Sequence, residues 1–324
     1  MKTILKLTFI FIVLAGCKEG SKNERIISNS SGNLNNLTIV VDNLLWEDNV
    51  GEQIRTVFAA PLEGLPQDEP IFSLSQIPPS VFSGFATKSR IILKIEKGKP
   101  AGTAISEDLF AKPQTLVLVT GKTNQEIINQ IESNSKQIIS VFKKEEIKEK
   151  LRRISLSLHD DSDLKKAFGI SIKFPTAYRI AKKEDKFFWI RKDIPTGTMD
   201  LMIYEVPLST IKEGDSTITD IVRMRDSIGK THIPGPVEGS YMITEESYAP
   251  YLFEINLDNK PTYETKGIWD VKNAFMAGPF INYAIKDLQN NRYLVVEGYV
   301  FSPSIEKRDH IFEMESIIKS IKFE

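Results

Sequence analysis

Hydrophobic positions along the chain follow two spacings, one typical of strands and one typical of helices. Apolar residues three or four positions apart between 124 and 153, including Ile131 and Phe142, predict a long helix with one apolar face. The same spacing predicts shorter helices at 44–58, 217–229 and 304–321. Short runs rich in β-branched residues predict strands at 37–41, 71–74, 90–95, 115–120, 170–174, 177–182, 187–191, 199–206, 241–245, 252–256, 280–287 and 292–300.

This order of elements predicts an α+β protein with two domains, each a mainly antiparallel sheet covered by helices. The acidic break at 159–163 separates them, which gives an N-terminal domain at 37–158 and a C-terminal domain at 159–324. Ser304 is a good N-cap for the last helix. Asn290 and Asn291 tolerate left-handed turn conformations and therefore predict a hairpin between the last two strands.

The first sixteen residues have a different pattern. Lys2 and Lys6 precede an apolar run at 7–14, and small residues follow it. A transmembrane helix needs roughly 20 apolar residues, so this run is too short to remain in a bilayer. Residues 1–16 therefore predict a secretory signal peptide.

The type of signal depends on Leu14-Ala15-Gly16-Cys17, which resembles the lipobox of bacterial lipoproteins. The resemblance implies that the signal is cleaved before Cys17 and that lipid is attached to its thiol. The chain would then be held on a membrane of the cell envelope, and we expect the outer membrane, at its periplasmic face or at the cell surface. Cys17 is the one cysteine of the chain, so no disulfide is available.

The segment 17–36 is rich in serine, asparagine and glycine and predicts a flexible tether behind the lipid. The membrane is thus the first expected partner.

Charge and motifs narrow the function. With 42 basic and 43 acidic residues the chain has no basic excess, so we expect no nucleic-acid partner. Gly121-Lys122-Thr123 lacks the glycine that a phosphate loop needs five positions earlier, where Leu116 stands. His159, His232 and His310 are isolated in the sequence. We therefore predict no cofactor, no metal and no catalytic residue.

Glycine- and proline-rich stretches of the second half predict loops at 233–236, 239–242, 267–269 and 276–280, with polar and aromatic residues beside them. Such rigid loops could frame a binding groove. The alternative is that these residues shape corners, with Trp269 and Phe280 in the core and Glu297 on a solvent-facing strand position. The groove candidates are Arg225, Asp226, Tyr241, Met242, Trp269 and Glu297.

Several motifs spread over the chain resemble an uncharacterised lipoprotein family of the Bacteroidota. Besides the lipobox they are Leu65-Pro66-Gln67-Asp68-Glu69-Pro70, Arg225-Asp226-Ser227-Ile228, Gly239-Ser240-Tyr241-Met242, Gly278-Pro279-Phe280 and Glu297-Gly298-Tyr299-Val300. The resemblance implies an envelope location and no catalytic residues. The strand order of the second half is also similar to PsbP- and Mog1-like sandwiches, which implies a binding or assembly module.

The resulting functional hypothesis is a lipid-anchored, non-enzymatic envelope protein that binds a partner protein or an envelope polymer. The alternative is an envelope hydrolase that uses Asp or Glu residues of the C-terminal domain. The two differ in geometry, because a hydrolase of that kind needs two carboxylates about 5 to 9.5 Å apart in a cleft.

Overall fold

The computed structural model describes residues 27–324. The predicted signal peptide, Cys17 and the first part of the predicted tether lie outside the described residues. Within 27–324, no helix combines the length and the apolar composition needed to cross a bilayer.

The first half is a five-stranded sheet with α-helices on one face, and a separate two-stranded sheet lies beside it. Its elements are β1 (Ser28–Asn29), β2 (Asn36–Val40), α1 (Asn43–Glu47), α2 (Asn49–Phe58), β3 (Ser73–Ile77), β4 (Ile91–Lys97), β5 (Gly102–Glu107), β6 (Ala111–Lys112), β7 (Thr115–Gly121) and α3 (Asn124–Ile154). Five of the strands form a sheet in the order β3-β2-β4-β7-β5. Side chains such as Ile39, Leu93 and Val119 face α2 and α3, where they meet Ile54 and Ile131 in a buried core.

The prediction of a mainly antiparallel sheet is wrong for this half. The pairs β2–β3, β2–β4 and β4–β7 are parallel, and β5–β7 is antiparallel. Parallel neighbours need a crossover, which α1 and α2 supply between β2 and β3. Such strands are buried on both faces, which explains why residues 37–40 of β2 and 91–93 of β4 are buried without interruption.

The predicted tether is also too long at its C-terminal end. The short strand β1 pairs with β6, and Asn35 is buried with its backbone N–H donating to Glu146 of α3 at 2.8 Å. Glu146 also forms a buried ion pair with Arg90 at 2.7 Å. Residues 28–36 are therefore held by the body through backbone pairing and a buried carboxylate, which their polar composition does not reveal.

The second half is built on a larger sheet. Its elements are α4 (Ser162–Phe168), β8 (Ile170–Ser171), β9 (Arg179–Lys183), β10 (Phe187–Ile194), β11 (Gly197–Pro207), α5 (Thr217–His232), β12 (Met242–Thr244), β13 (Tyr251–Leu257), β14 (Lys260–Val271), β15 (Ala274–Asp287), β16 (Arg292–Phe301), α6 (Arg308–Ile318) and β17 (Lys322–Phe323). Seven strands run β12-β14-β15-β16-β11-β10-β9, and β13 pairs with β14. All of these pairs are antiparallel, so the prediction is confirmed for this half.

Helices cover both faces of this sheet. Met314 and Ile318 of α6 pack on one face with Leu201 and Val296, together with α4. Met224 of α5 packs on the other face. The predicted α+β class is thus confirmed.

Two segments predicted as loops are central strands. β14 includes Trp269, and β15 includes Gly278, which pairs with it. The glycine does not mark a turn there. A Cβ at Gly278 would lie 2.0 Å from the carbonyl oxygen of Val300, so the position requires glycine because β16 passes close to it. The predicted hairpin between β15 and β16 is present, and Asn291 has φ 51°.

The end of α3 and the start of α6 connect the two halves. Lys150 of α3 pairs with Glu313 of α6 at 2.5 Å. Ser304 does not cap α6. Instead, the buried carboxylate of Glu69 accepts hydrogen bonds from the backbone N–H groups of Lys307 and Arg308 at 2.7–2.9 Å. The predicted domain boundary at 158/159 stays a prediction.

The Glu69 contact predicts a stability effect. Glu69→Ala leaves the N-terminus of α6 without its buried acceptor, so we expect the free energy of unfolding to fall by about 1–2 kcal/mol. Urea denaturation measures this loss. Asp68→Ala, at an exposed neighbouring acid, is the matched control and should change stability by less than about 0.5 kcal/mol. Equal effects of the two variants would contradict the capping role.

Candidate functional site

The sheet face beneath α5 carries a buried ion pair. Arg225 of α5 is 1% exposed and donates to both carboxylate oxygens of Glu297 on β16, at 2.7 and 2.6 Å. Its guanidinium carbon lies 3.4 Å from the ring centroid of Phe280. Asn282 on β15 donates a further hydrogen bond to Glu297 at 2.7 Å. The pair is thus enclosed by the sheet below and by α5 above.

Thr244 extends this buried network to the edge strand β12. Its hydroxyl accepts from Arg225, and its N–H and hydroxyl both donate to Asp226, at 2.7 and 2.8 Å. Tyr204 lies beside Glu297, and burial raises the pKa of its hydroxyl. These contacts fix α5 on the sheet.

A separate cavity of about 220 Å³ opens beside this network, between the sheet and the loop that follows α5. Its walls are mainly apolar, and only Arg191 and Asp200 are charged among its lining residues. Sites for whole drug-sized ligands are usually about 300–1,000 Å³, so this cavity fits one side chain or a small ring. It is lined by Trp189, Arg191, Thr198, Asp200, Ile233, Pro234, Gly235, Pro236, Met242, Trp269, Val271, Met276, Tyr299 and Phe301.

Asp200 supplies the buried polar group of the cavity. It is 0% exposed and lies between two cross-strand neighbours, Arg191 on β10 and Tyr299 on β16. Its Oδ1 accepts from Trp189 at 2.8 Å and lies 3.1 Å from Arg191 Nε. Burial raises the pKa of the Asp200 carboxyl, and the charge of Arg191 only partly offsets that effect.

Apart from Arg191 Nε, which faces Asp200 Oδ1 in the ion pair, two polar atoms of the residues that line the cavity have no hydrogen-bond partner in the described part of the chain, namely Asp200 Oδ2 and Tyr299 Oη. Buried polar atoms are nearly always paired, because leaving one unpaired costs about 1–3 kcal/mol. Here both atoms belong to residues that line a cavity. A ligand that donates one hydrogen bond would satisfy the carboxylate oxygen.

An open groove of about 1,060 Å³ lies next to the cavity and shares Val271, Met276 and Phe301 with it. The groove runs along the tip of the β14–β15 hairpin, where Phe275 is fully exposed. Its charged lining is Glu245, Glu246, Asp270 and Lys272. Three acids against one base favour a positively charged occupant.

The structure places five of the six predicted groove residues in two sets and leaves Tyr241 outside both. Arg225, Asp226 and Glu297 belong to the buried network beneath α5, where the partner of each side chain is another side chain of this chain or a backbone group. Met242 and Trp269 are buried at 1% and 2% and line the cavity. Tyr241 lies between two lysines near the loop, with Lys230 and Lys272 each 5.8 Å from its ring centroid.

Sequence reasoning missed the polar centre of the cavity, Asp200, and its neighbours Trp189 and Tyr299. A signal was available, because Asp200 interrupts the apolar residues of a predicted strand. Only the pairing of β10, β11 and β16 brings these three side chains together.

The described residues contain no group of three or more His, Cys, Asp or Glu side chains placed to hold a metal ion. Asp200 is the single carboxylate among the residues that line the cavity. A larger depression holds Glu213 and Glu254, and Glu213 is ion-paired with Lys286 there. The hydrolase alternative stays a prediction without a carboxylate pair in the cavity.

Comparison with known families follows the same division of the chain. The model of a domain of unknown function, DUF4837, matches residues 157–320, just over half of the 324-residue chain. The chain belongs to the DUF4837 family. The model of a second domain of unknown function, DUF8532, matches residues 30–155. The buried network and the cavity both lie in the DUF4837 match. The expected membership of an uncharacterised family is confirmed, and its bacterial group stays a prediction.

Solved structures show only distant likeness. The Ran-binding protein Mog1p of Saccharomyces cerevisiae is 7% identical over 48% of this chain and 89% of its own, with a TM-score of 0.32. LpqN, described as involved in cell envelope biogenesis of Mycobacterium tuberculosis, is 10% identical over 47% of this chain and 82% of its own, with a TM-score of 0.28. No curated protein matches the DUF4837 chain.

Proposed function

We propose that this protein is a lipid-anchored envelope protein that binds a partner polypeptide through the cavity beside Asp200. The observation that carries the proposal is the pair of unpartnered polar atoms, Asp200 Oδ2 and Tyr299 Oη, on residues that line a mainly apolar cavity. A buried acceptor in such a wall is a recognition feature when a ligand donates to it. The lipid on Cys17 supplies the location.

The chemistry of the site specifies the bound group. An aromatic side chain matches both the volume and the ring-lined wall of Trp189 and Trp269. A phenol hydroxyl donates to Asp200 Oδ2, which makes tyrosine the fitting residue. The acidic groove next to the cavity accommodates basic residues on either side of the bound tyrosine. The expected partner therefore presents a tyrosine flanked by lysine or arginine.

Confinement on a membrane makes weak binding sufficient. A partner held on the same or the facing membrane is present at a high effective concentration, so one side chain in a small cavity is enough for a functional contact. This accounts for an anchor, a tether and a cavity too small for a whole cofactor.

A tripeptide tests this site. The capped peptide Lys-Tyr-Lys is expected to bind saturably in isothermal titration calorimetry, and the same peptide with phenylalanine should bind about tenfold more weakly, or ~1.4 kcal/mol. Met276→Trp fills the mouth of the cavity and should abolish binding. Leu288→Trp, at an exposed position just after the opposite end of β15, is the matched control and should bind as the parent does.

Equal affinity for the tyrosine and phenylalanine peptides would show that the phenol hydroxyl makes no hydrogen bond with Asp200 Oδ2, which would contradict the proposed recognition of tyrosine. Unchanged binding by Met276→Trp would place the peptide elsewhere and overturn it.

A further inference from the structure

The described chain begins beside two segments that cover the face of the first sheet opposite α2 and α3. Ser30 and Ser31 donate backbone hydrogen bonds to Lys112 at 3.0 Å and Lys88 at 2.9 Å. β1 thus lies between the segment 79–89 and the segment 108–114. The segment that leads toward Cys17 therefore joins the body at this place.

The two segments form one surface. Phe82 and Phe110 stack edge to face with ring centroids 5.6 Å apart. The Gln114 side chain donates to the carbonyl oxygens of Thr87 and Ser89, both at 2.7 Å. Beneath them lies a small apolar cluster of Val40, Ile92 and Leu116. The surface is therefore packed from below and held in one shape.

Its outer side is apolar and basic. Val81 is 54% exposed and Phe85 is 76% exposed. Phe85 and Lys88 are three residues apart in a single 3-10 helix, Gly84–Lys88, and so lie on one side of it. The Lys112 side chain, next to β1, is 70% exposed, and its Nζ lies 3.7 Å from a carboxylate oxygen of Asp108 on the same surface. An exposed ring with lysines beside it is typical of surfaces that rest in the headgroup region of a bilayer.

The length of chain between Cys17 and β1 limits how far this surface can lie from the membrane. Cys17 and Ser28 are separated by roughly ten residues, which span at most about 35 Å when fully extended and about 16–19 Å as a random coil. A lipid on Cys17 therefore keeps the region of β1 close to the membrane.

We infer that the surface formed by 79–89 and 108–114, here termed the tether-side surface, docks on the lipid bilayer that holds the anchor. The inference rests on the lipid anchor of the proposed function. Docking orients the body with its first half against the membrane. Phe85 is then inserted about 5–10 Å into the boundary between headgroups and acyl chains.

The test uses the lipidated full-length protein in vesicles of phosphatidylcholine and phosphatidylglycerol. Cys17 is the sole cysteine, and its sulfur is blocked by lipid, so Phe85→Cys introduces the one reactive thiol for a polarity-sensitive fluorophore. Phe275→Cys, at a fully exposed phenylalanine in the second half, is the matched control. Flotation of the vesicles reports the anchor, and iodide quenching reports contact with water.

We expect the label at position 85 to be quenched about threefold less than the label at 275 on vesicles, and equally in the unlipidated Cys17→Ala protein. Flotation with equal quenching at both positions would overturn docking and leave the anchor standing. Failure to float would overturn the anchor and the docking surface together.

Discussion

Arg225→Met is expected to lower the free energy of unfolding by about 3–5 kcal/mol, as breaking a buried ion pair does. The substitution leaves the Glu297 carboxylate, which is 0% exposed, with the Asn282 amide as its remaining donor. It also removes the guanidinium from the ring of Phe280. Urea denaturation followed by circular dichroism measures the loss.

The matched control is Arg223→Met on the same helix. The Arg223 side chain is 73% exposed and pairs with Asp220, so its loss should cost less than about 1 kcal/mol. The double variant Arg225→Met with Glu297→Met removes both charges and should recover much of the lost stability. Similar losses for Arg225→Met and Arg223→Met would show that the pair does not hold α5 on the sheet.

Acid is expected to destabilise the contact between α3 and α6 most. Burial alone would raise the pKa of Glu313, but the charges and hydrogen bonds of Lys150 and Lys192 outweigh it and lower the pKa to about 2. Glu315 on the same helix also has a pKa of about 2, because Lys319, Lys143 and Lys266 outweigh its burial.

The direction of the pH dependence of stability follows from these lowered pKa values. A carboxylate whose pKa falls on folding stabilises the protein fully above its ordinary value of 4.5, and the contribution is lost as the pH falls from 4.5 through about 2. The shift of Glu313 corresponds to about 3 kcal/mol. We therefore expect the free energy of unfolding to fall steeply over this window.

Glu313→Gln should be less stable at neutral pH and should lose less stability between pH 4.5 and 2 than the parent. Glu306→Gln, at an exposed glutamate just before α6, is the control and should keep the pH dependence of the parent. Urea denaturation at a series of pH values gives both results. Parallel curves for Glu313→Gln and the parent would assign the acid sensitivity to other groups.

Local patterns predicted most elements of this fold. The apolar stripe of the long helix gave its bounds almost to the residue, and Thr123, one residue before it, caps it by accepting from the Glu126 N–H. The antiparallel strands of the second half were also predicted where their apolar runs were unbroken. Such features depend on neighbours in the sequence.

Features that depend on distant partners were not predictable in the same way. The parallel pairing of β2, β3 and β4 depends on the crossovers between them. The apolar residues of these strands indicate burial, but they do not show which strands pair or in which direction. β14 and the start of β15 read as loops because their glycines accommodate another strand rather than a turn. Residues 28–36 read as tether because their polar composition hides backbone pairing with β6.

The site shows the same limit of local patterns. The sequence indicates Arg225 and Glu297 as separate groove candidates, and the fold brings them together across 72 residues. The alternative interpretation of Glu297 as a solvent-facing position is wrong, because the structure buries its carboxylate against the charge of Arg225. Asp200 interrupts an apolar strand, but only the pairing of distant strands shows that it lines a cavity.

The central claim is that the cavity beside Asp200 receives a tyrosine of a partner. A crystal structure of the protein with the capped Lys-Tyr-Lys peptide tests it most directly. We predict the phenol ring between Trp189 and Trp269, with its hydroxyl within hydrogen-bond distance of Asp200 Oδ2 and the lysines along the acidic groove. A saturated complex with the peptide elsewhere and this cavity empty would contradict the account.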